Sequence, residues 1–198
     1  MKVFAKFTSE AAGIIRKKGI GIIPTDTIYG IVCSALSKKS VNEVYRLRMR
    51  SSGKPVIILL SKMNDLNFFG IKPDKGTSNI LGQLWPGPVS VILPYKSGKF
   101  SYLHRGKKAI AFRVPANAAL RRFLNKTGPI IVPSANFEGK KPAKTLTEAQ
   151  KYFGDKIDFY IDGGKLKSKP STLVCIKNGK VSIIRKGMSD AKIKNVSA

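Results

Sequence analysis

The chain has 198 residues, of which 42% are hydrophobic, and 37 Lys and Arg against 11 Asp and Glu give it a formal net charge of +26 at pH 7. This length and composition suit one large domain or two small ones and exclude an intrinsically disordered chain. The charge favours a polyanionic partner, such as RNA, DNA, nucleotide phosphates or anionic lipid, over a basic surface that is only solvated.

The sequence contains no signal for export or membrane insertion. No apolar run approaches the roughly 20 residues that span a bilayer, and residues 1–8 carry no export pattern. The two cysteines, Cys33 and Cys175, follow apolar residues in strand-like runs, which is typical of small core residues. They provide neither a disulfide framework nor the spacing of a zinc site. We therefore expect a cytoplasmic protein with no membrane association and no metal site of its own.

Hydrophobic periodicity and capping residues predict helices that alternate with short strands. The predicted helices are 9–18 after a Thr8 cap, 40–50 from a capping box of Ser40 and Glu43, 77–84, 118–124 after Asn117, and 146–153 from a box of Thr145 and Glu148. The predicted strands are 20–24, 31–33, 56–60, 89–93, 109–114, 130–133, 159–161, 172–177 and 180–185. Asn178 and Gly179 predict a hairpin between the last two strands.

Residues 96–108 are predicted to form a basic and aromatic loop. Such a loop suits single-stranded nucleic acid, and a merely flexible loop is an equal alternative. His104 is the only histidine. With no second histidine or nearby cysteine beside it, we expect it at the surface.

Polar side chains follow two of the apolar strands where each strand reaches a proline. After strand 20–24 come Thr25, Asp26, Thr27 and Tyr29. Strand 130–133 is followed in the same way by Ser134 and Asn136. Ligands of open α/β sheets bind at such strand ends, although Thr and Asp also form simple turns. Two such ends side by side would make one pocket.

Three cations flank the connection between the helix 40–50 and the strand 56–60. Arg48, Arg50 and Lys54 would repel one another without an anion between them, which favours phosphate binding. The alternative is the general preference for positive side chains in a last helical turn. Arg113 lies in an apolar strand, where an unpaired charge is costly, so it should face a ligand carboxylate or an internal acid.

Taken together, the motifs resemble those of YrdC-like proteins, the threonylcarbamoyl-AMP synthases, in their short single-domain form. The motifs are Pro24-Thr25-Asp26-Thr27-Ile28-Tyr29-Gly30, Arg48-Met49-Arg50, Trp85-Pro86-Gly87-Pro88, Ala111-Phe112-Arg113-Val114-Pro115, Pro133-Ser134-Ala135-Asn136, Pro170-Ser171-Thr172 and Arg185-Lys186-Gly187. The resemblance implies an α/β fold with a twisted mixed sheet and flanking helices around a large, positively charged cavity. It implies one domain over residues 1–187 and a short polar C-terminal tail over 188–198.

The resemblance also implies a nucleotidyltransferase. L-threonine, bicarbonate or carbon dioxide, and ATP would give threonylcarbamoyl-AMP and pyrophosphate, for the threonylcarbamoyladenosine modification of tRNA. A separate complex would carry out the transfer to tRNA. Magnesium would arrive with ATP, and the sequence offers no convincing protein nucleophile.

Site residues follow by matching this sequence to the family motifs. Thr25 and Arg113 resemble threonine-binding residues, and Arg48 and Arg50 resemble a catalytic Lys-x-Arg pair that holds the triphosphate. The resemblance and the cation spacing together predict nucleotide contacts at Arg48, Arg50, Lys54, Ser134, Asn136, Ser171 and Arg185. The alternative function is an RNA-binding protein on the same fold, acting on double-stranded RNA, tRNA or the ribosome, with catalysis lost.

Overall fold

The computed structural model describes residues 1–177, 179–193 and 196. Its strands are β1 (Lys2–Phe4), β2 (Gly21–Ile23), β3 (Gly30–Ser34), β4 (Ile57–Leu59), β5 (Val89–Pro94), β6 (Ala109–Arg113), β7 (Ile130–Ile131), β8 (Phe159–Ile161), β9 (Thr172–Lys177) and β10 (Lys180–Arg185). Its α-helices are α1 (Ser9–Arg16), α2 (Lys38–Leu47), α3 (Lys75–Leu84), α4 (Ser101–His104), α5 (Ala118–Thr127), α6 (Leu146–Phe153) and α7 (Asp190–Ile193). Short 3₁₀ helices lie at Met63–Phe69, Gly98–Phe100 and Gly154–Lys156.

The strands among these residues form one mixed sheet in the order β1-β8-β2-β3-β7-β4-β6-β5-β9-β10. The pairs β1–β8, β2–β8, β4–β6 and β5–β9 are parallel, and the other neighbours are antiparallel. The predicted α/β fold with a mixed sheet and flanking helices is thereby confirmed.

Helices cover both faces of the sheet. Ile22 belongs to one hydrophobic cluster and its neighbour Ile23 to a second, as expected when successive side chains point to opposite faces. The second cluster also contains Ala11 and Ile15 of α1 and Leu120 of α5. Helices α2, α3 and α6 contribute to the first. A sheet buried on both faces explains why its strands read as continuous apolar runs.

Thr8 caps α1, accepting a hydrogen bond from Ala11 N at 3.1 Å, as predicted. The prediction of a capping box that begins at Ser40 was wrong. Helix α2 is capped by Ser37, whose Oγ accepts from Ser40 N at 3.3 Å. Ser40 Oγ instead donates to Lys18 O at 2.7 Å, a tertiary bond that ties α2 to the end of α1.

The loop prediction for residues 96–108 was also wrong. The segment contains a 3₁₀ turn and α4, and Phe100 and Leu103 are buried in the core. His104 is 8% exposed rather than at the surface, because it packs beside the ring of Tyr95. The aromatic side chains of this segment are used in packing.

The C-terminal hairpin is confirmed by the antiparallel pairing of β9 with β10, although Asn178 lies outside the described residues. Beyond it, α7 lies against the start of β9, with Thr172 Oγ1 donating to Asp190 Oδ1 at 2.9 Å and Ile193 buried. None of the helices in the described part of the chain is long and apolar enough to cross a membrane.

Candidate functional site

The two strand ends that are rich in polar residues meet on one side of the sheet. Gly30, at the start of β3, forms an isolated antiparallel bridge with Ser134. A Cβ on Gly30 would lie 2.5 Å from Val132 Cγ2. The lack of a side chain therefore lets the 25–29 turn come this close to the segment after β7.

A cavity of about 420 Å³ opens beside this junction. Six predicted site residues line it: Thr25, Arg50, Arg113, Ser134, Ser171 and Arg185. Arg48, Lys54 and Asn136 are not among its lining residues. Apolar side chains such as Ile28, Ile92 and Leu173 form much of the wall. An apolar wall with a few convergent polar groups is typical of a small-molecule site.

The charged groups of the lining are all cationic. They are Arg50, Lys107, Arg113 and Arg185, and no carboxylate lines the cavity among the described residues. Low-dielectric walls strengthen the field of these charges inside the cavity. The site is therefore suited to anions.

Arg113 is the most deeply buried of these cations, at 3% exposed. Its Nη2 lies 3.2 Å from Asp26 Oδ1, and its Nη1 donates to Thr27 Oγ1 at 3.2 Å. Burial lowers the pKa of Arg113, Asp26 opposes that shift, and the nearby Arg185 adds to it. Arg113 Nε has no hydrogen-bond partner among the residues that the structure describes. The guanidinium is thus held in place with part of its donor capacity unused.

The 25–29 turn orients this arginine through two hydroxyls. Thr25 Oγ1 donates to Ile28 O at 2.7 Å, so its one proton is already committed. In the 2.9 Å bond between Thr25 and Thr27 the donor must therefore be Thr27. Thr27 Oγ1 in turn accepts from Arg113. Thr25 organises the turn, and Thr27, which was not among the predicted site residues, makes the contact with arginine.

Arg48 lies behind the cavity wall, 2% exposed. Its Nε donates to Asn136 O at 3.0 Å, and its Nη2 donates to Ser134 Oγ at 3.2 Å and to Asn136 Oδ1 at 3.3 Å. Burial, followed by the nearby Arg50, lowers the pKa of Arg48 to about 10. Arg48 therefore braces the segment after β7. Because Ser134 Oγ accepts from Arg48, its proton remains available to the cavity.

Arg50 lies on the cavity side of the same connection. Met49, between the two arginines, has φ +51°, the left-handed conformation with which a helix commonly ends. Arg50 Nη2 donates to Pro55 O at 2.8 Å, and its Nε donates to Lys54 O at 3.3 Å. These bonds fix the guanidinium at the rim of the cavity.

Lys54 does not line the cavity and forms an ion pair with Glu138. Glu138 also accepts a hydrogen bond from Ser51 N. The bond from Lys54, followed by that from Ser51, lowers the pKa of Glu138 to about 2. This contact fastens the Arg50 connection to the segment after β7.

The last third of the chain supplies the remaining wall. Ser171 Oγ lies 3.0 Å from Ser90 Oγ, and Ser171 O accepts from Arg185 Nη2 at 2.9 Å. Burial lowers the pKa of Arg185. The hairpin of β9 and β10 thereby carries a third guanidinium to the cavity, near that of Arg113.

Lys107 is the cavity cation that the sequence did not indicate. It lies in the segment 96–108, and no motif or spacing distinguishes it there from Lys96, Lys99 or Lys108. Regarding metals, no group of three or more His, Cys, Asp and Glu side chains within residues 1–177, 179–193 and 196 is arranged to hold an ion.

Comparison with known protein families and relatives gives consistent matches. The Sua5, YciO and YrdC family model, described as telomere recombination, matches residues 13–187. A protein of Methanocaldococcus jannaschii is 35% identical over 170 residues, which cover 85% of this chain and 80% of that protein. The threonylcarbamoyl-AMP synthase of Idiomarina loihiensis is 34% identical over 160 residues, covering 78% of this chain and 85% of the relative.

Solved structures match over nearly the whole chain. Sua5 of P. abyssi complexed with L-threonine superimposes with a TM-score of 0.86 at 25% identity, covering 94% of this chain and 58% of that one. This chain therefore spans little more than half of the P. abyssi protein. E. coli YciO matches with a TM-score of 0.83 at 22% identity, covering 97% of this chain and 98% of that one, a likeness of fold.

Proposed function

This chain belongs to the Sua5/YciO/YrdC family, and we propose that it is an L-threonylcarbamoyladenylate synthase. It would join L-threonine, bicarbonate or carbon dioxide, and ATP, and release pyrophosphate. The observation that carries the proposal is the buried Arg113, fixed by Asp26 and Thr27 in a cavity with three further cations and, among the described residues, no lining carboxylate. These cations are suited to bind both a carboxylate and a polyphosphate.

We assign the amino acid to the Arg113 end of the cavity. A planar guanidinium can bind both oxygens of the threonine carboxylate, and its fixed orientation reduces the entropy lost on binding. Thr27 holds Arg113, and Thr25 holds Thr27. The L-threonine bound to P. abyssi Sua5 supports an amino-acid site in this fold.

We assign ATP to the remaining cationic part of the cavity. Arg50 and Arg185 would contact the phosphates, and the hydroxyls of Ser134 and Ser171 the rest of the nucleotide. Arg48 would act through Ser134, and with it Asn136, rather than by touching the nucleotide. Lys54 would stabilise the Arg50 connection through Glu138.

The chemistry needs no protein nucleophile. The amine of threonine and bicarbonate form a carbamate with loss of water. A carbamate oxygen then bonds to the α-phosphorus, while the bond from that phosphorus to the β-bridging oxygen breaks and its electron pair leaves with pyrophosphate. The protein would accelerate this step by positioning the reactants and by stabilising the phosphate charge. We expect Mg²⁺ to enter with ATP, held by phosphate oxygens.

The product would be used to form threonylcarbamoyladenosine on tRNA. A separate complex would accept the adenylate and carry out this transfer. The protein would act in the cytoplasm. Residues 1–187 would form the catalytic domain and residues 188–198 its C-terminal tail. The names of the relatives favour the synthase over an RNA-binding protein that has lost catalysis. Binding of RNA or tRNA remains a separate expectation from the charge of +26.

The test is pyrophosphate release from ATP, with L-threonine and bicarbonate each omitted in turn. Release that requires both substrates, and a product with the mass of threonylcarbamoyl-AMP, are expected. D-threonine serves as the control for the amino-acid site. Release that is independent of L-threonine, or no release from a sample that binds ATP, would contradict the proposed activity.

A further inference from the structure

The turn between α4 and β6 has an unusual backbone. Arg105, Gly106 and Lys108 have φ values of +49°, +81° and +51°. For the two residues that are not glycine, this left-handed conformation costs about 1–2 kcal/mol each. Such strain persists only where the surroundings hold the backbone, and it occurs often at functional sites. Lys107, in the middle of this turn, lines the cavity.

Hydrogen bonds hold the turn from within. Gly106 N donates to His104 Nδ1 at 3.1 Å, and Lys107 N donates to His104 O at 2.9 Å. Tyr95 N donates to Lys108 O at 2.8 Å, which fixes the far end of the turn to β5. The buried His104 therefore serves as the inner support of Lys107.

Contacts with α2 hold the turn from outside and connect it to Arg50. Arg105 lies over the ring of Tyr45, 4.1 Å from the centroid, and donates to Asn42 Oδ1 at 2.8 Å. The guanidinium carbon of Arg50 lies 5.8 Å from the centroid of the same ring. The Tyr45 hydroxyl donates to Lys54 O, which also accepts from Arg50. One tyrosine thus supports both the Arg50 connection and the Lys107 turn.

The Lys107 ammonium makes no hydrogen bond or ion pair within the described part of the chain, whereas Lys54 is paired with Glu138. We propose that Lys107 is a polyphosphate-binding residue of the cavity, which contacts the triphosphate of ATP and the departing pyrophosphate. Arg50 is fixed by backbone carbonyls, so its charge is stationary. Lysine carries a compact charge on a flexible stem and can follow a phosphate group that moves and gains charge during the reaction.

The inference rests on the proposed function, and its test uses binding alone so that the two can fail separately. Calorimetry would compare the wild type with Lys107→Ala, taking ATP, pyrophosphate and AMP as ligands. We expect Lys107→Ala to bind ATP and pyrophosphate about tenfold more weakly, and AMP with a change of less than about twofold. Lys108 is exposed, as Lys107 is, but does not line the cavity, so Lys108→Ala should bind all three as the wild type does.

Three outcomes would overturn the assignment of Lys107: wild-type affinity for pyrophosphate in Lys107→Ala, an equal loss for AMP, or an equal loss in Lys108→Ala. Lys107→Gln, with circular dichroism of each variant, separates loss of charge from any change in fold. Tight pyrophosphate binding that depends on Lys107, without threonine-dependent turnover, would support the assignment while contradicting the proposed synthase activity.

Discussion

At the scale of single residues, the ion pair of Arg113 and Asp26 leaves binding capacity unused. Taking a cation out of water costs several kcal/mol unless its partners have good geometry. Nη2 of Arg113 approaches Asp26 Oδ1 at 3.2 Å, yet Arg113 Nε and Asp26 Oδ1 are both buried without a hydrogen bond to any part of the chain that the structure describes. Part of the burial cost of Arg113 is therefore uncompensated by the protein, and a carboxylate ligand would offset it.

The first prediction is that Arg113→Lys raises the KM for L-threonine by about tenfold or more, because one ammonium cannot present two parallel donors to a carboxylate. The KM for ATP should change much less. Steady-state pyrophosphate release measures both constants. Arg122→Lys, an exposed position on α5, is the matched control. Equal increases in both KM values would contradict a specific role at the carboxylate.

The second prediction separates the roles of Arg48 and Arg50. Arg48→Gln removes the hydrogen bonds that Arg48 donates to Asn136 O and Ser134 Oγ. The rate of amide hydrogen exchange in residues 135–138 should therefore rise by about tenfold. Arg50→Gln should leave that exchange unchanged and raise the KM for ATP. Hydrogen exchange by mass spectrometry, alongside kinetics, gives both readouts. Faster exchange at residues 135–138 in both variants, or in neither, would contradict this division.

Among the residues of the site, the sequence could indicate those with a local signal. Arg113 stands out because a charge in an apolar strand requires a partner, and the structure provides Asp26. Lys107 has no such signal, since only the fold of α4 and its turn carries it to the cavity. Residue type alone does not separate Thr25, which matches a family motif position, from Thr27. Their different roles follow from their partners, since the Thr25 hydroxyl donates to Ile28 O and the Thr27 hydroxyl accepts from Arg113.

At the scale of elements, local patterns predicted the strands well, because a buried strand is marked by its own apolar run. These patterns failed where tertiary contacts determine the local structure. Ser37 and Ser40 are both plausible caps by type, and Ser40 loses that role because its hydroxyl bonds to Lys18 O. Segment 96–108 has the sequence pattern of a loop, but it folds because Phe100 packs against Phe69, a partner distant in sequence. The centroids of the two rings are 5.2 Å apart.

The third prediction concerns the segment that closes the wall after β10. A Cβ on Gly187 would lie 2.4 Å from Pro170 O and 2.5 Å from Thr172 N, backbone atoms that cannot move aside freely. Gly187→Ala should destabilise the fold by about 1–3 kcal/mol and weaken ATP binding, since Ser171 and Arg185 adjoin this contact.

Gly82→Ala is the control for the same chemical change. In α3 its Cβ would meet no atom of the described residues within 4 Å, so a gain of about 0.5–1 kcal/mol is expected from helix propensity. Urea unfolding measures both free energies. A neutral Gly187→Ala would show that the segments around Pro170 and Gly187 are less closely packed than the structure places them.

Over the full chain, positively charged side chains greatly outnumber negatively charged ones. Four ion pairs within 4.0 Å occur among the described residues, against 37 basic side chains in the chain. Most of the positive charge therefore has no acidic partner in these contacts. Its field would attract polyphosphates to the cavity, and it would attract RNA to the outer surface by the same physics.

The last prediction follows from the different charges of the two substrates. Raising the ionic strength from about 0.1 M to about 1 M shortens the Debye length from about 10 Å to about 3 Å, so the KM for ATP should rise severalfold. L-threonine is a zwitterion that meets the buried Arg113 at short range, where salt screens little, and its KM should change less. Kinetics over a chloride series at constant free Mg²⁺ measures both. Arg185→Gln should flatten the ATP response, because one cavity cation is lost. An equal salt response for both substrates would mean that the field of the whole surface, rather than the cations of the cavity, governs binding.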